Sequence, residues 1–227
     1  MNPIGVVICN YNKKDFVLQC VQSVLESKEK NFDIYVVDNA SSDGSAEALK
    51  KAYGNRITVI ENKENLGGSG GFNTGLRIVR DKGYSYFMCL DDDAAVDENA
   101  LSVLYHYMEE HTDTGMAGCR VYHTQMSDYI QQSGLLIDFD NCTAKTIGAD
   151  MPEDGSLPDV IECDTVATCA VMVRADTVKQ KGVGIMPEDN FIYWDDMEWG
   201  YRIKLAGYRV VTLAEAKALH QMGANTK

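Results

Sequence analysis

The amino-acid sequence predicts an α/β fold in which a central, mainly parallel sheet is flanked by helices. Apolar runs typical of buried strands alternate with amphipathic stretches of helical spacing through the first half of the chain. Strands and helices that alternate at this spacing form βαβ units with right-handed crossovers. The 227 residues are enough to bury one large core. We therefore expect a single domain over residues 1–227.

Three apolar runs rich in β-branched residues predict the first strands of this sheet, at 3–9, 32–37 and 56–60. After the first run, Phe16, Cys20 and Val24 recur at the spacing of one helix face. Residues 41–43, Ser-Ser-Asp, offer an N-cap for a helix over 46–53. Strand, loop and helix therefore occur twice in succession.

The segment 65–75 is rich in glycine and predicts a turn that leads into a helix carrying Leu76 and Val79. It lacks the G-x-G-x-x-G pattern, because Asn73 stands where the last glycine would be, and it lacks GxxxxGK followed by Ser or Thr. Two interpretations stay open. The backbone could approach an anionic ligand in front of a helix N-terminus, or the segment could be a flexible turn.

The rest of the chain continues the α/β pattern with less regularity. We expect strands at 84–90, 116–121, 166–173 and 208–213, and helices at 97–111 and 194–205. Asp97 is the expected cap of the first of these helices. Between residues 122 and 159 the periodicity fades, and we expect loops or a short hairpin over one face of the site.

Composition and charge exclude several classes of protein. The formal net charge is −13, and no cluster of Lys or Arg could follow a nucleic-acid backbone, so nucleic-acid binding is excluded. The seven cysteines lack metal-site spacing and are expected to be reduced core residues. Neither a signal peptide nor a membrane span is apparent, which predicts a cytoplasmic protein.

Asp91, Asp92 and Asp93 follow the apolar run 84–90 and are the most informative feature of the sequence. A solvated acidic turn is one interpretation. However, like charges ~4 Å apart at an effective dielectric of ~20 repel by ~4 kcal/mol per pair, and a bound divalent ion removes that cost. Oxygen-only ligation suits Mg²⁺ or Mn²⁺. The position at the end of a buried strand favours the metal site.

Two further acidic motifs and one histidine are candidates for the same site. Asp38 ends the second predicted strand, where it could bind a ribose or base, or cap the following turn. Asp195 and Asp196 could supply a general base whose pKa is raised by neighbouring charge, or could cap the helix that follows. His220 comes after the last predicted strand, and a lone histidine is usually structural.

Four motifs in this order resemble family 2 glycosyltransferases of the GT-A fold. The motifs are Cys9-Asn10-Tyr11-Asn12, the segment from Val36 to Gly44, Asn65-Leu66-Gly67 with Gly70-Gly71-Phe72-Asn73, and Leu90-Asp91-Asp92-Asp93. Together with the motif from Trp194 to Glu198 and with His220, they are most similar to the galactofuranosyl- and rhamnosyl-transferase branch. The resemblance covers nearly the whole chain and is weakest over 122–159.

The resemblance implies a UDP- or dTDP-sugar donor, a bound Mn²⁺ or Mg²⁺, and transfer with inversion to a saccharide or lipid-linked acceptor in cell-surface polysaccharide synthesis. It implies a nucleotide-binding half at 1–120 and an acceptor-binding, catalytic half at 121–227. Asp91, Asp93 and His220 would hold the metal, and Asp196 with Asp195 would supply the base. The implied donor-binding residues are Asn10, Tyr11, Asn12, Asp38, Asn39, Asn65, Gly67, Gly71, Asn73 and Asp92. Peripheral association with the inner membrane face fits a lipid-linked acceptor.

Two other functions remain as alternatives at this point. A sugar-nucleotide nucleotidyltransferase would need a basic, glycine-rich loop after the first strand, and Asn10-Tyr11-Asn12 with Lys13 and Lys14 is a poor match. A non-catalytic nucleotide-sugar-binding protein would bind UDP without transfer or donor hydrolysis. The presence of three acidic motifs favours an enzyme.

Overall fold

The computed structural model describes residues 3–221; residues 1, 2 and 222–227, which the predicted domain includes, lie outside the described residues. The described part contains five α-helices: α1 (Lys14–Glu26), α2 (Ser45–Tyr53), α3 (Gly67–Lys82), α4 (Ala100–Glu110) and α5 (Asp195–Leu205). The strands of the first half are β1 (Ile4–Asn10), β2 (Phe32–Asp38), β3 (Thr58–Glu61), β4 (Tyr86–Asp91), β5 (Ala94–Val96) and β6 (Thr114–His123). Those of the second half are β7 (Met126–Gln132), β8 (Leu135–Asp138), β9 (Thr143–Thr146), β10 (Met151–Pro152), β11 (Val160–Glu162), β12 (Ala170–Arg174) and β13 (Arg209–His220).

One large sheet runs through both halves of the chain in the order β10-β7-β6-β12-β4-β1-β2-β3. The strands β3, β2, β1 and β4 are parallel to one another, as the βαβ pattern predicts. Strand β12 joins β4 and β6 in antiparallel orientation, and β13 pairs in parallel with β6. The predicted α/β fold with a parallel sheet centre flanked by helices is confirmed.

Helices cover both faces of the sheet, and strand β1 shows how the sequence divides between them. Its alternate side chains point to opposite faces. Val6 and Ile8 pack in the core formed with α1, α2 and α4, whereas Val7 packs in the core formed with α3 and α5. Because both faces of the strand are buried, its sequence is apolar at consecutive positions.

The register of the parallel strands brings polar side chains together at one edge. Asn10 lies opposite Asp38, and Cys9 lies opposite Asp91. Asn10, Asp38 and Asp91 are the last residues of β1, β2 and β4, whose carboxyl ends meet at the same edge of the sheet. Ligand crevices of open α/β sheets form at this edge.

The glycine-rich segment differs from the expected turn, because helix α3 begins at Gly67 and includes the glycines that follow. The reason is the close approach of the helix to the sheet. A Cβ at Gly71 would lie 2.4 Å from Cys9 Sγ, and one at Gly75 would lie 2.4 Å from Val7 Cγ1. These glycines let a helix backbone pack directly on β1 and its neighbours.

Three other expectations need correction. Helix α4 begins at Ala100 with Asn99 as its N-cap, and Asp97 instead accepts a hydrogen bond from the Asn99 N–H in the preceding turn. Strand β13 continues to His220, past the predicted end at Leu213, because its second part pairs with β5 and β6. The region 122–159 contains the expected short hairpin, formed by β8 and β9, but it also contains β7 and β10, which extend the main sheet.

Within residues 3–221, no helix combines the length and the apolar character that crossing a membrane requires.

We predict that Gly75→Ala is less stable than Gly68→Ala by about 1–3 kcal/mol in free energy of unfolding, measured by urea titration. The new methyl group at position 75 would also lie 3.1 Å from Val37 Cγ2, whereas at position 68 the nearest atom, Asp195 Oδ2, is 3.6 Å away. The helix preference of alanine is similar in both variants and cancels. Equal stabilities would contradict the close packing of α3 on the sheet.

Candidate functional site

A cleft of about 600 Å³ lies at the carboxyl edge of the central strands. The ends of β1, β4 and β13 line it, together with the start of α3 and the segment 191–197. The predicted site residues that line it are Tyr11, Asn39, Asn65, Gly67, Asp91, Asp92, Asp93, Asp195, Asp196 and His220. Motif residues that are separated by more than a hundred positions in the chain thus share one cavity.

Asp91, Asp93 and His220 form a cluster at the floor of the cleft. Each offers one ligand atom, and the three atoms lie within 4.8 Å of one another. His220 Nε2 is 3.2 Å from Asp93 Oδ1 and 3.8 Å from Asp91 Oδ2. The antiparallel pairing of β13 with β5, which sets His220 opposite Ala94, brings the histidine to this place. Two carboxylates and an imidazole can together ligate a divalent cation, so the residues present fit such an ion.

The surroundings shift the pKa values of these three side chains in different ways. Burial raises the pKa of Asp91, although the charge of His220 opposes it. For Asp93, hydrogen bonds from His220 and Lys13 outweigh burial and lower the pKa. For His220, the hydrogen bond to Asp93 and the charge of Asp91 outweigh burial and raise the pKa. These hydrogen bonds favour the carboxylate form of Asp93.

Lys13 contacts the same cluster, and sequence reasoning missed this role. Its Nζ lies 2.6 Å from Asp93 Oδ2 and 3.2 Å from Asp92 Oδ1, and all three side chains are nearly buried. The two carboxylates raise the pKa of Lys13 against the effect of burial. Among the described residues that line the cleft, Lys13 and His220 are the basic ones. No local signal marks Lys13, since the contact spans 80 positions of sequence.

Asp92 faces the loop that follows β1. Its Oδ2 accepts a hydrogen bond of 3.0 Å from the Tyr11 N–H. Burial raises the pKa of Asp92 to about 7, although the charge of Lys13 acts in the opposite direction. The middle aspartate therefore links the β1 loop to the end of β4.

Asn10, Asn12 and Asp38 form a network behind the cleft wall. Asn10 Nδ2 donates to Asp38 Oδ1 at 2.8 Å, and the Ser41 N–H donates to Asp38 Oδ2 at 3.0 Å. Asn12 has a left-handed backbone, with φ of 55°, and its Oδ1 accepts from the Ser42 N–H at 2.7 Å. The side chain of Asp38 thus holds the turn after β2, which was one of its two predicted roles.

Asn39 organises the wall of the cleft next to α3. Its Nδ2 donates to Asn65 Oδ1 and to the Gly67 carbonyl, both at 2.9 Å. Its Oδ1 accepts from Asn62 Nδ2 at 3.0 Å and from the Leu66 N–H at 3.1 Å. Since the buried amide uses both donors and both acceptor positions, it fixes the loop at Asn65 and Gly67 rigidly.

Gly71 and Asn73 lie beneath the cleft and not in its wall. Gly71 leaves room for Cys9 Sγ and for the amide of Asn39. Asn73 is buried, and its Nδ2 donates to the Met186 carbonyl and to Glu188 Oε1, both at 2.7 Å. Both residues therefore support the structure around the cleft.

The segment 191–194, Phe-Ile-Tyr-Trp, forms an aromatic wall along the cleft. Its side chains are exposed, from 53% for Trp194 to 60% for Phe191 and Tyr193. Its backbone is anchored to α3, because the Gly68 N–H donates to the Phe191 carbonyl at 2.9 Å and Ser69 Oγ donates to the Asn190 carbonyl at 2.9 Å. An apolar surface on an anchored backbone is typical of a binding site.

Asp195 and Asp196 begin helix α5 at the end of this wall. Burial, followed by the negative charges of Asp195 and Asp91, raises the pKa of Asp196 to about 6. Burial also raises the pKa of Asp195. The Met197 N–H donates to Asp196 Oδ1 at 2.7 Å, so this carboxylate also satisfies the backbone at the helix start. Asp195 and Asp196 lie in the first turn of α5 and no side chain caps the helix, so the predicted capping role is not observed.

Comparison with known proteins identifies relatives of the chain. The family model described as "Glycosyl transferase family 2" matches residues 5–172. A teichoic acid poly(glycerol phosphate) polymerase of Staphylococcus epidermidis is 26% identical over 146 residues, which are 62% of this chain and 19% of that protein. The UDP-Glc:alpha-D-GlcNAc-diphosphoundecaprenol beta-1,3-glucosyltransferase WfaP of Escherichia coli is 30% identical over 109 residues, which are 48% of this chain and 42% of WfaP. The chain thus spans less than half the length of these curated relatives.

A solved structure resembles the fold over nearly all of the chain. The mannosyltransferase PcManGT of Pyrobaculum calidifontis, in complex with GDP-Man and Mn²⁺, superposes with a TM-score of 0.70 at 16% identity. The similarity covers 98% of this chain and 58% of that one. Because the family model matches most of the sequence and the fold is that of GT-A enzymes, the chain belongs to glycosyl transferase family 2.

Proposed function

We propose that the chain is the catalytic part of an inverting, metal-dependent glycosyltransferase that uses a UDP- or dTDP-sugar. The observation that carries the proposal is that Asp91, Asp93 and His220 share one cleft with Asp196. Family membership supports sugar transfer, and the complex of PcManGT with GDP-Man and Mn²⁺ supports a nucleotide-sugar donor and a metal ion. The name of WfaP, which includes a diphosphoundecaprenol acceptor, supports a saccharide or lipid-linked acceptor.

Asp91, Asp93 and His220 would hold Mn²⁺ or Mg²⁺. When bound, the ion would offset the negative charge of the nucleoside diphosphate that leaves. Lys13 adds a positive charge to the same region, where it pairs with Asp92 and Asp93. In a protein with a net charge of −13, Lys13 offsets part of the acidic charge around the site, and the metal ion would supply the counter-charge for the diphosphate itself.

We assign the nucleotide to the side of the cleft formed by the β1 loop and the Asn39 network. Tyr11, Asn39, Asn65 and Gly67 line this side. Asn10, Asn12 and Asp38 hold the adjoining turns in place from behind. The hydrogen bonds among these residues preorganise the pocket, so binding a donor costs little loop ordering.

We assign the acceptor to the aromatic wall beside α5. Asp196 would accept the proton of the acceptor hydroxyl as that oxygen attacks the anomeric carbon from the face opposite the leaving diphosphate. A pKa of about 6 leaves its carboxylate ionised near pH 7 and still basic enough to accept a proton. Asp195 supports this role because its negative charge is one cause of the raised pKa.

Trp194 is the tryptophan that could stack on a sugar ring. It is half exposed in the cleft wall, whereas Trp199 is fully buried and donates from Nε1 to the Gly184 carbonyl at 3.1 Å. The wall would also shield the reacting groups from water, which would otherwise hydrolyse the donor.

The nucleotidyltransferase alternative loses support from the surroundings of Lys13. That reaction requires a loop after β1 whose basic groups are free to bind a triphosphate. The Lys13 ammonium is nearly buried and paired with Asp92 and Asp93.

We expect Mn²⁺-dependent release of UDP or dTDP from at least one donor in a screen of sugar nucleotides. Asp93→Ala is expected to lower this rate by about 100-fold or more, since one of the two carboxylates among the three proposed ligands is lost. Asp81→Ala, an exposed site on α3, serves as the control and should retain the wild-type rate. Undiminished activity of the wild-type chain in EDTA would refute the metal requirement.

Asp196→Asn is expected to lower the transfer rate by about 10²–10⁴-fold while UDP affinity, measured by calorimetry, stays unchanged. In the wild-type chain the rate should fall about tenfold per pH unit below pH 6, because protonation removes the base. The residual transfer rate of the Asp196→Asn variant should not show this decrease below pH 6. A loss of UDP affinity instead would place Asp196 in the donor site.

Trp194→Ala is expected to raise the KM for the acceptor by about tenfold at nearly constant KM for the donor, since a stacked aromatic contributes about 0.5–1.5 kcal/mol beyond its burial. Leu205→Ala, at an exposed position of α5, is the control and should change neither constant. A change confined to the donor KM would contradict the assignment of this wall to the acceptor.

A further inference from the structure

Gln131, in strand β7, has a buried side chain that makes two hydrogen bonds to the same histidine. Its Oε1 lies 2.7 Å from His220 Nδ1, and its Nε2 donates to the His220 carbonyl at 3.2 Å. Only 7% of the residue is exposed, so solvent cannot easily replace either partner. The amide therefore clamps both the ring and the backbone of His220.

The carbonyl contact fixes which way the amide of Gln131 faces. A carbonyl oxygen only accepts hydrogen bonds, so the NH₂ group of the amide must point toward it. The reverse orientation would set two oxygens against each other at 3.2 Å. Because the NH₂ group donates to the His220 carbonyl, Oε1 is the atom that faces the imidazole.

The orientation of the amide in turn fixes the tautomer of His220. Oε1 can only accept, so Nδ1 must carry a hydrogen to bond with it. In the neutral ring, Nε2 then bears the lone pair. Nε2 is also the atom nearest to Asp93 Oδ1 and Asp91 Oδ2. In the neutral ring, the amide thus directs the Nε2 lone pair toward the space shared with Asp91 and Asp93, where a cation would accept it.

Strand pairing delivers Gln131 to this position from a distant part of the sequence. Strand β6 pairs with β7 on one side and with β13 on the other. This arrangement brings Gln131 to His220, which is 89 positions away in the sequence. The residue comes from the region 122–159, for which the sequence suggested only loops or a hairpin.

We propose that Gln131 is a positioning residue: its side-chain amide holds His220 in the Nδ1–H tautomer and orients Nε2 for binding a divalent cation. The proposal deepens the proposed function, on which it rests for the identity of the metal site. Groups that accept a hydrogen bond from a metal-binding histidine orient the ring in this way, and their loss typically weakens metal affinity by about 10–100-fold.

The test uses the whole chain with Mn²⁺ alone as the probe, and it measures two properties. Nitrogen-15 chemical shifts of His220 in the metal-free chain, at a pH where the ring is neutral, report its tautomer. Titration calorimetry reports the Kd for Mn²⁺. Gln131→Leu is expected to shift the ring toward the Nε2–H tautomer and to raise the Kd by about 10–100-fold.

Two further variants separate positioning from a general loss of structure. Gln131→Glu keeps an acceptor for Nδ1–H and is expected to keep the wild-type tautomer, although it loses the donor to the His220 carbonyl. Gln132→Leu removes the neighbouring buried amide, which donates to Cys169 Sγ at 3.4 Å, and should keep both the tautomer and the Kd. Thermal unfolding of each variant verifies that it is folded.

The proposal is overturned if Gln131→Leu retains the wild-type tautomer, or if its Kd stays within twofold of wild type. It is also overturned if Gln132→Leu weakens Mn²⁺ binding as much as Gln131→Leu does. A wild-type chain that binds no Mn²⁺ would instead contradict the metal role in the proposed function. The tautomer measurement needs neither metal nor transfer, so the two failures are distinguishable.

Discussion

Repulsion among acidic side chains is the constraint on which the rest of this site depends. Three consecutive aspartates lie at the end of β4 and in the turn that follows it, and Asp195 and Asp196 line the same cleft. Each ionised pair at close range costs several kcal/mol unless positive charge or hydrogen-bond donors offset it. The surrounding structure supplies Lys13, His220 and the Tyr11 N–H for this purpose.

The same repulsion accounts for the different chemical roles that we propose for the carboxylates. Asp93, which accepts hydrogen bonds from both Lys13 and His220, has a lowered pKa, as a charged ligand should. Asp196, which is partly buried near Asp195 and Asp91, has a pKa raised to about 6, as a base near neutrality should. Their surroundings, and not their residue type, set the two aspartates apart.

Much of the fold could be predicted from the sequence because its signals are local. The apolar strands, the amphipathic helices and the polar residues at strand ends each occupy a few consecutive positions. The convergence of Asp38 and Asp91 followed from parallel strand order alone. The glycines of α3 were misjudged because their role depends on contacts with Cys9 and Val7, which belong to another element.

The parts of the site that could not be predicted depend on long-range pairing. Lys13 and Gln131 have no motif of their own, and their contacts with Asp93 and His220 span 80 and 89 positions. The aromatic wall is also anchored by hydrogen bonds to α3 that no local pattern indicates. For His220, only the resemblance to a known family indicated a role, since the extension of β13 that positions it depends on pairing with β5.

The central claim is that the acidic edge of this sheet holds a divalent cation. Anomalous diffraction from crystals soaked with Mn²⁺ and UDP tests it most directly. The account predicts one strong manganese peak bounded by the carboxylates of Asp91 and Asp93 and by His220 Nε2. Bound UDP with no manganese peak among these three side chains would contradict it.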